Sequence, residues 1–247
     1  MPDLLWPVLL GILGLVFGSF IATLAIRWPQ GRSVAQGRSA CDSCDKALRA
    51  HELVPLFSYV LKRGRCRACG GAIHPGHPGT ELAGLVIGIA AGLVAPGLEG
   101  VAGAVFGWLL LALAALDLVA FWLPNRLTAA LALTGIVDAF FFQPGWLDRI
   151  AGGVIGYALL ELARFTYRYI RKREGLGGGD AKMFAGIGLW LGASMLAPVL
   201  LAASLIGLAF ALAARISGRE MGMTSRLPLG TLLAIAAFPA WLYGLGI

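Results

Sequence analysis

The chain has 247 residues, of which 58% are hydrophobic and only 13% charged, and its mean hydropathy is +0.80. Soluble domains carry about a quarter charged residues, so a water-soluble globular protein is excluded, and the apolar runs are too long for barrel strands, which leaves a polytopic all-α membrane protein. A net charge of +7 would suit nucleic acid, but the placement of the charge along the chain gives it another meaning.

Eight transmembrane helices are predicted, at about 4–26, 80–96, 101–123, 127–142, 148–169, 181–197, 198–214 and 227–246. The first follows an acidic residue, Asp3, and is about twice as long as a signal-peptide core, so it is expected to be a retained helix. Residues 27–79 are the one long polar interruption and are expected to form a small loop domain between the first helix (1–26) and a helical core (80–247). Only Ala197-Pro198 marks a break between the sixth and seventh spans. Glycines recur at four-residue spacing (Gly14/Gly18, Gly84/Gly88/Gly92, Gly103/Gly107, Gly152/Gly156, Gly188/Gly192), a pattern that lets helices pack closely in lipid.

Orientation follows from Lys and Arg. With the N-terminus outside, the cytoplasmic side receives 27–79, 124–126, 164–182 and 215–226, which together hold all of the 20 Lys and Arg residues except Arg149. Removing one span between 181 and 214 would put Arg215, Arg219 and Arg226 on the wrong side. Both termini are therefore expected outside and the loop domain in the cytoplasm. The basic excess is a topology signal, and no nucleic-acid partner is expected.

All four cysteines lie in the loop, as Cys41-Asp-Ser-Cys44 and Cys66-Arg-Ala-Cys69. Two such knuckles supply four thiolates to one tetrahedral Zn²⁺ with no open position, the pattern of a structural site. Two disulfides are the alternative, but the charge count places the loop in a reducing compartment, which favours zinc. A loop of this size has little core, so the metal is expected to supply much of its folding energy. Arg38, Lys46, Arg65 and Arg67 flank the thiols, equally as thiolate partners or as positive-inside residues. His51, His74 and His77 are expected at the surface, because four cysteines already fill the shell.

Five acids fall within or beside apolar runs: Glu81, Asp117, Asp138, Glu161 and Asp180. A carboxylate there costs a few kcal/mol and points to function. Asp117 lies near the cytoplasmic end of the third span. Asp180 opens the sixth from the same side, after the run Gly175-Leu-Gly177-Gly178-Gly179, whose lack of side chains lets a peptide approach. Asp138 is about 18 Å up the fourth span and cannot easily join them. Glu161 has Arg164 at i+3 as a structural partner. Glu81 is kept as a candidate for substrate or helix contact. Two carboxyls a few Å apart hold one shared proton, the arrangement of aspartic-protease chemistry. Separate pairing with Lys182 or Arg126 is the structural alternative.

These residues resemble the bacterial type IV prepilin peptidases, intramembrane aspartic proteases of the GxGD kind. The matching pieces run in order: Gly18-Ser19-Phe20 with Arg27-Trp28-Pro29; the two cysteine pairs around Pro55-Leu-Phe-Ser58-Tyr59 and Arg63-Gly64-Arg65-Cys66; Glu81; Ala115-Leu116-Asp117-Leu118 with Leu123-Pro124-Asn125; Gly177-Gly178-Gly179-Asp180-Ala181-Lys182; and Leu227-Pro228-Leu229-Gly230. The resemblance implies that Asp117 and Asp180 are the catalytic pair. It implies a protein of the bacterial inner membrane that cleaves the basic leader of prepilins or pseudopilins at the cytoplasmic face. It also implies N-methylation of the new N-terminus with S-adenosylmethionine, although no glycine-rich nucleotide fingerprint marks where that cofactor sits. Position 125 is Asn where relatives often have Asp, which excludes an essential acid there. Two other classes stand against this reading: a proton- or cation-coupled transporter using Asp117, Asp180 and Glu161 as a relay, and a catalytically silent assembly factor.

Overall fold

The computed structural model describes residues 4–34, 39–41, 43–49, 52–173, 175–218 and 227–244. Arg38, His51, Arg219 and Arg226, named above, and Asp3 lie outside them. The described residues are helical with two isolated β-bridges. In chain order the helices are α1 (Leu5–Arg27), a short α2 (Phe57–Leu61), α3 (Gly76–Val94), α4 (Leu98–Ala120), α5 (Asn125–Asp138), α6 (Trp146–Arg171), α7 (Gly178–Leu191), α8 (Leu196–Ile216) and α9 (Leu229–Gly244). The chain divides into two compact units, 1–115 and 116–247, with the boundary inside α4.

A helix stands at each of the eight expected positions, but their lengths differ. Four stretches, Leu5–Gln30, Gly76–Val94, Leu98–Ala120 and Leu196–Ile216, are long and apolar enough to cross a membrane. The helices α5 and α7 have 14 residues each. At 1.5 Å per residue that is about 21 Å, short of a hydrocarbon core of roughly 30 Å. The break between α7 and α8 lies earlier than Ala197-Pro198. Gly192 ends α7 with φ +80°, and a Cβ there would sit 2.0 Å from Asp148 Oδ2. Pro198 instead falls in the first turn of α8, where its missing N–H has no partner to lose.

In the first unit α1 and α3 lie backbone against backbone, and the four-residue glycine spacing is the reason. A Cβ on Gly14 would meet Gly84 O at 2.0 Å, and one on Gly88 would meet Leu10 O at 2.1 Å. Trp108 of α4 donates its indole N–H to Gly84 O at 3.1 Å and stacks on Phe17. In the second unit α7 is the central helix. Met183, Phe184, Ile187 and Trp190 on it are buried, and it packs on α5, α6 and α9. Gly152 and Gly188 bring α6 and α7 together in the same way, each Cβ position lying 2.5 Å or less from the other residue's carbonyl oxygen.

Candidate active site

Asp117 lies one turn before the end of α4. The helix stops at Ala120 because Phe121 turns left-handed (φ +49°), its N–H still bonded to Asp117 O. The chain then runs extended through Pro124 (ψ 134°) into α5. Asp180 is the third residue of α7. Its Oδ2 accepts the Gly177 N–H at 3.1 Å, and its own N–H donates to Gly177 O at 3.2 Å. The carboxylate thus caps the helix whose N-terminal dipole stabilises it.

The second unit brings these two acids together. Both are buried, Asp117 5% and Asp180 8% exposed. The charge of one acts on the other, and the head of α9 at Gly230 lies against the Asp117 carboxyl. Thr231 adds two donors to Asp117 Oδ2, its backbone N–H at 2.9 Å and its hydroxyl at 3.3 Å. Glycine is required around the pair for space. A Cβ on Gly230 would stand 3.0 Å from Asp117 Oδ2, and one on Gly179 would stand 2.7 Å from Leu123 Cβ.

The other acids are held elsewhere. Asp138 is bonded to Arg149 at 2.7 Å, and both are buried. Arg149 also donates to the carbonyl oxygens of Pro144 and Gln143 at 2.8 Å and, more weakly, to those of Phe142 and Leu189. Arg164 holds Glu161 at 3.0 Å, as the i,i+3 spacing predicts. Among the described residues neither Lys182 nor Arg126 is bonded to the pair, and Lys182 donates to Asn125 Oδ1 at 2.7 Å. Sequence reasoning missed the roles of Thr231 and Arg149. The Leu227-Pro228-Leu229-Gly230 match was the signal for the first, and Arg149's solitary position outside the basic segments was the signal for the second.

In the first unit the two cysteine knuckles are one turn built twice. Cys41 N–H donates to Lys46 O and Asp45 N–H to Cys41 O; Cys66 N–H donates to Gly71 O and Gly70 N–H to Cys66 O. Each turn needs a left-handed residue, Asp45 (φ 52°) in one and Gly70 (φ 70°) in the other, and each closes with one bridge, Ala40–Ala47 or Arg65–Ala72. The four cysteines are free thiols. Their sulfurs lie within 4.8 Å of one another, with Cys41 and Cys69 4.0 Å apart. A zinc tetrathiolate has sulfurs about 3.8 Å apart, given Zn–S bonds of about 2.3 Å, so the cluster fits that ion. The Cys69 and Ala68 N–H groups bring the Cys66 thiol down to about 6. At Cys44 the Lys46 N–H also favours the thiolate, but crowding by the Cys69 and Cys41 sulfurs outweighs it and the thiol rises to about 11. A bound cation would relieve that crowding. Neither His74 nor His77 belongs to the group. His74 Nδ1 accepts the Gly76 N–H at 3.1 Å instead.

The fold and this site define an all-helical membrane protein with a buried carboxyl pair in one unit and a four-cysteine cluster in the other. Residues 12–94 match the Bacterial Peptidase A24 N-terminal domain, and residues 104–212 match the Type IV leader peptidase family. A prepilin leader peptidase/N-methyltransferase of Bacillus subtilis (strain 168) is 33% identical over 240 residues, which is 96% of this chain and 94% of the relative. Proteins of the same description from Aeromonas hydrophila (35% over 211 residues, 84% and 72% covered) and Burkholderia pseudomallei strain K96243 (35% over 262 residues, 94% and 84% covered) are similar too. No solved structure matches the chain. The chain belongs to the type IV leader peptidase family.

Proposed function

We propose that this protein removes the basic leader of type IV prepilins or pseudopilins by aspartic-protease chemistry, with Asp117 and Asp180 as the catalytic pair. The observation that carries the reading is the burial of both carboxyls within reach of each other's charge, with the head of α9 packed against Asp117. The ionised member takes a proton from water as the water oxygen attacks the scissile carbonyl carbon. The protonated member gives its proton to the carbonyl oxygen. Collapse of the tetrahedral intermediate breaks the C–N bond, and a proton passes to the departing amine. Thr231 holds Asp117 and Gly177 holds Asp180, so the carboxyls keep their orientation.

The topology that fits this chemistry is eight crossings, both termini outside and the cysteine loop in the cytoplasm of the inner membrane, with α5 and α7 as short spans entered by extended segments. The loop domain 27–79 is stapled by one zinc ion on Cys41, Cys44, Cys66 and Cys69. By the names of its relatives, the protein also N-methylates the new N-terminus. S-adenosylmethionine would supply the methyl group. A transporter reading has less support, since Glu161 is tied to Arg164 and Asp138 to Arg149, which leaves no ladder of free acids.

The test is co-expression with a prepilin and mass spectrometry of the substrate's N-terminus. Leader loss with wild type and an intact leader with Asp180→Asn are expected. Cleavage that persists in Asp180→Asn would refute the mechanism.

A further inference from the structure

Between α4 and α5 the chain passes the two acids as a short extended segment, residues 121–124, for which the cleavage chemistry above has no role. Both of its ends are fixed. Phe121 turns it off α4 with φ +49°, a left-handed conformation that bulky L residues avoid. Just past the other end, Asn125 Oδ1 accepts from Lys182 at 2.7 Å, which ties the segment to the first turn of α7. In between, the side chains alternate as on a strand: Trp122 is exposed and Leu123 is buried. The Leu123 side chain packs on the two glycine backbones that flank the acids. A Cβ on Gly179, next to Asp180, would meet Leu123 Cβ at 2.7 Å, and one on Gly230, beside Asp117 Oδ2, would meet Leu123 Cδ1 at 3.0 Å.

The Leu123 main chain is what calls for an explanation. The residue is only 9% exposed, yet among the described residues neither its N–H nor its C=O has a hydrogen-bond partner. Buried backbone groups are almost always paired. The carbonyl oxygen stands 3.4 Å from the position a Cβ on residue 179 would take, so glycine there keeps side-chain bulk away from it.

We propose that Leu123 is a strand edge on which the scissile segment of the substrate docks. One substrate residue beside the cut donates its N–H to the Leu123 C=O and accepts the Leu123 N–H at its own C=O. The inference rests on the leader-peptidase reading above and adds how that site chooses the bond to be cut. A peptide carbonyl inside a helix is already bonded, so the substrate must be drawn out before it is attacked. Unwinding strips its backbone of partners beside a medium that supplies none. One donor and one acceptor on a single extended residue meet that need, as when a strand adds to a sheet edge. Pro124 follows and has no N–H, so the ladder cannot continue in that direction. A single pair then sets the register of the substrate against Asp117 and Asp180, because a slip of one residue turns its backbone groups the other way. Leu123 is therefore a positioning residue that acts through its main chain.

The experiment uses the purified full chain in detergent and synthetic peptides that span a prepilin leader and the start of its hydrophobic segment. Single N-methylation along the peptide removes one N–H at a time, and mass spectrometry reads both rate and cut position. Apart from the scissile amide, one position within about three residues of the cut should lower kcat/KM at least tenfold, with the adjacent non-scissile positions within about threefold of the parent peptide. Equal tolerance at every position, or equal loss, would overturn the pairing. In a second enzyme Leu123 is replaced by its α-hydroxy acid, which turns the amide into an ester, deletes the N–H and keeps the side chain. It should be about threefold to tenfold slower, the range of one hydrogen bond, and should also cut at neighbouring bonds, a loss of register that lowered stability does not produce. An ester enzyme with wild-type rate and a single cut position would overturn the proposal, leaving water as the partner of that N–H. N-methylation at the sensitive position should cost the ester enzyme less than it costs wild type, and an equal cost in both would place the partner elsewhere. If the ester chain fails to fold, a diazirine at the sensitive peptide position, bound to the Asp180→Asn chain, decides: label on 121–124 is expected, and label confined elsewhere would overturn the assignment. A wild-type chain that cleaves none of the peptides would overturn the leader-peptidase reading and the pairing with it, whereas cleavage with a flat scan overturns the pairing alone.

Discussion

Thr231 donates twice to a single oxygen of Asp117, from its backbone N–H at 2.9 Å and from its hydroxyl at 3.3 Å, although the two residues stand 114 positions apart in the chain. The turn at the head of α9 is therefore a clamp on the acid at the end of α4. Its two donors differ in what mutation can remove. Thr231→Val deletes the hydroxyl and leaves the N–H. A hydrogen bond to a charged group contributes about 1.5–3 kcal/mol, so the variant is expected to cleave prepilin roughly tenfold more slowly, with KM nearly unchanged. Steady-state cleavage in detergent measures the split.

Asp117→Asn and Asp180→Asn should each abolish leader cleavage, and the double variant should be no worse than either single one. Residues that act as a unit are non-additive. The co-expression assay reads all three. A double variant far below both singles would argue for separate roles.

Gly230→Ala places a methyl group 3.0 Å from both Asp117 Oδ2 and Leu123 Cδ1. The carboxyl must give way by a few tenths of an ångström, and misplacement of a reacting group by about 1 Å can cost around 10²-fold. A fall in kcat of about tenfold is expected, with the unfolding midpoint close to that of wild type. Equal kcat would show that the pair tolerates displacement.

Elemental analysis of purified protein should find one zinc per chain. Cys66→Ser, or a strong chelator, should lower the zinc content and open residues 27–79 to limited proteolysis, because metal binding supplies folding energy to a loop with so little core. A metal-free chain with an equally protected loop would refute the zinc assignment.

Asp138→Ala leaves the Arg149 guanidinium buried without its carboxylate. Breaking a buried pair from one side costs about 3–5 kcal/mol, so a marked drop in thermal stability is expected, while cleavage per folded molecule should be unaltered. Replacing both residues together with apolar ones should recover much of the loss, and paired thermal melts test this.

Much of this was written in the local pattern. The eight apolar runs gave eight helices, the glycine spacing gave the close approach of α1 to α3, and the i,i+3 spacing gave the Glu161–Arg164 pair. The two knuckle turns follow from residues tolerant of positive φ at the same place in each repeat, Asp45 and Gly70. The α7–α8 break was misread because Pro198 is a louder signal than Gly192. Proline is at ease in a helix's first turn, and it is the glycine's left-handed conformation that ends α7.

Composition and charge order determined by themselves that the chain is a helical membrane protein, since apolar length and the lack of charge depend on no contact. The motifs likewise named the two acids and the four thiols. Only the tertiary structure decided that Thr231 clamps Asp117, that Arg149 neutralises Asp138, and that Glu81 fastens a strained turn beside a cavity. Each of those is a hydrogen bond or ion pair, effective only within about 3 Å, and each joins residues brought together by folding rather than by sequence.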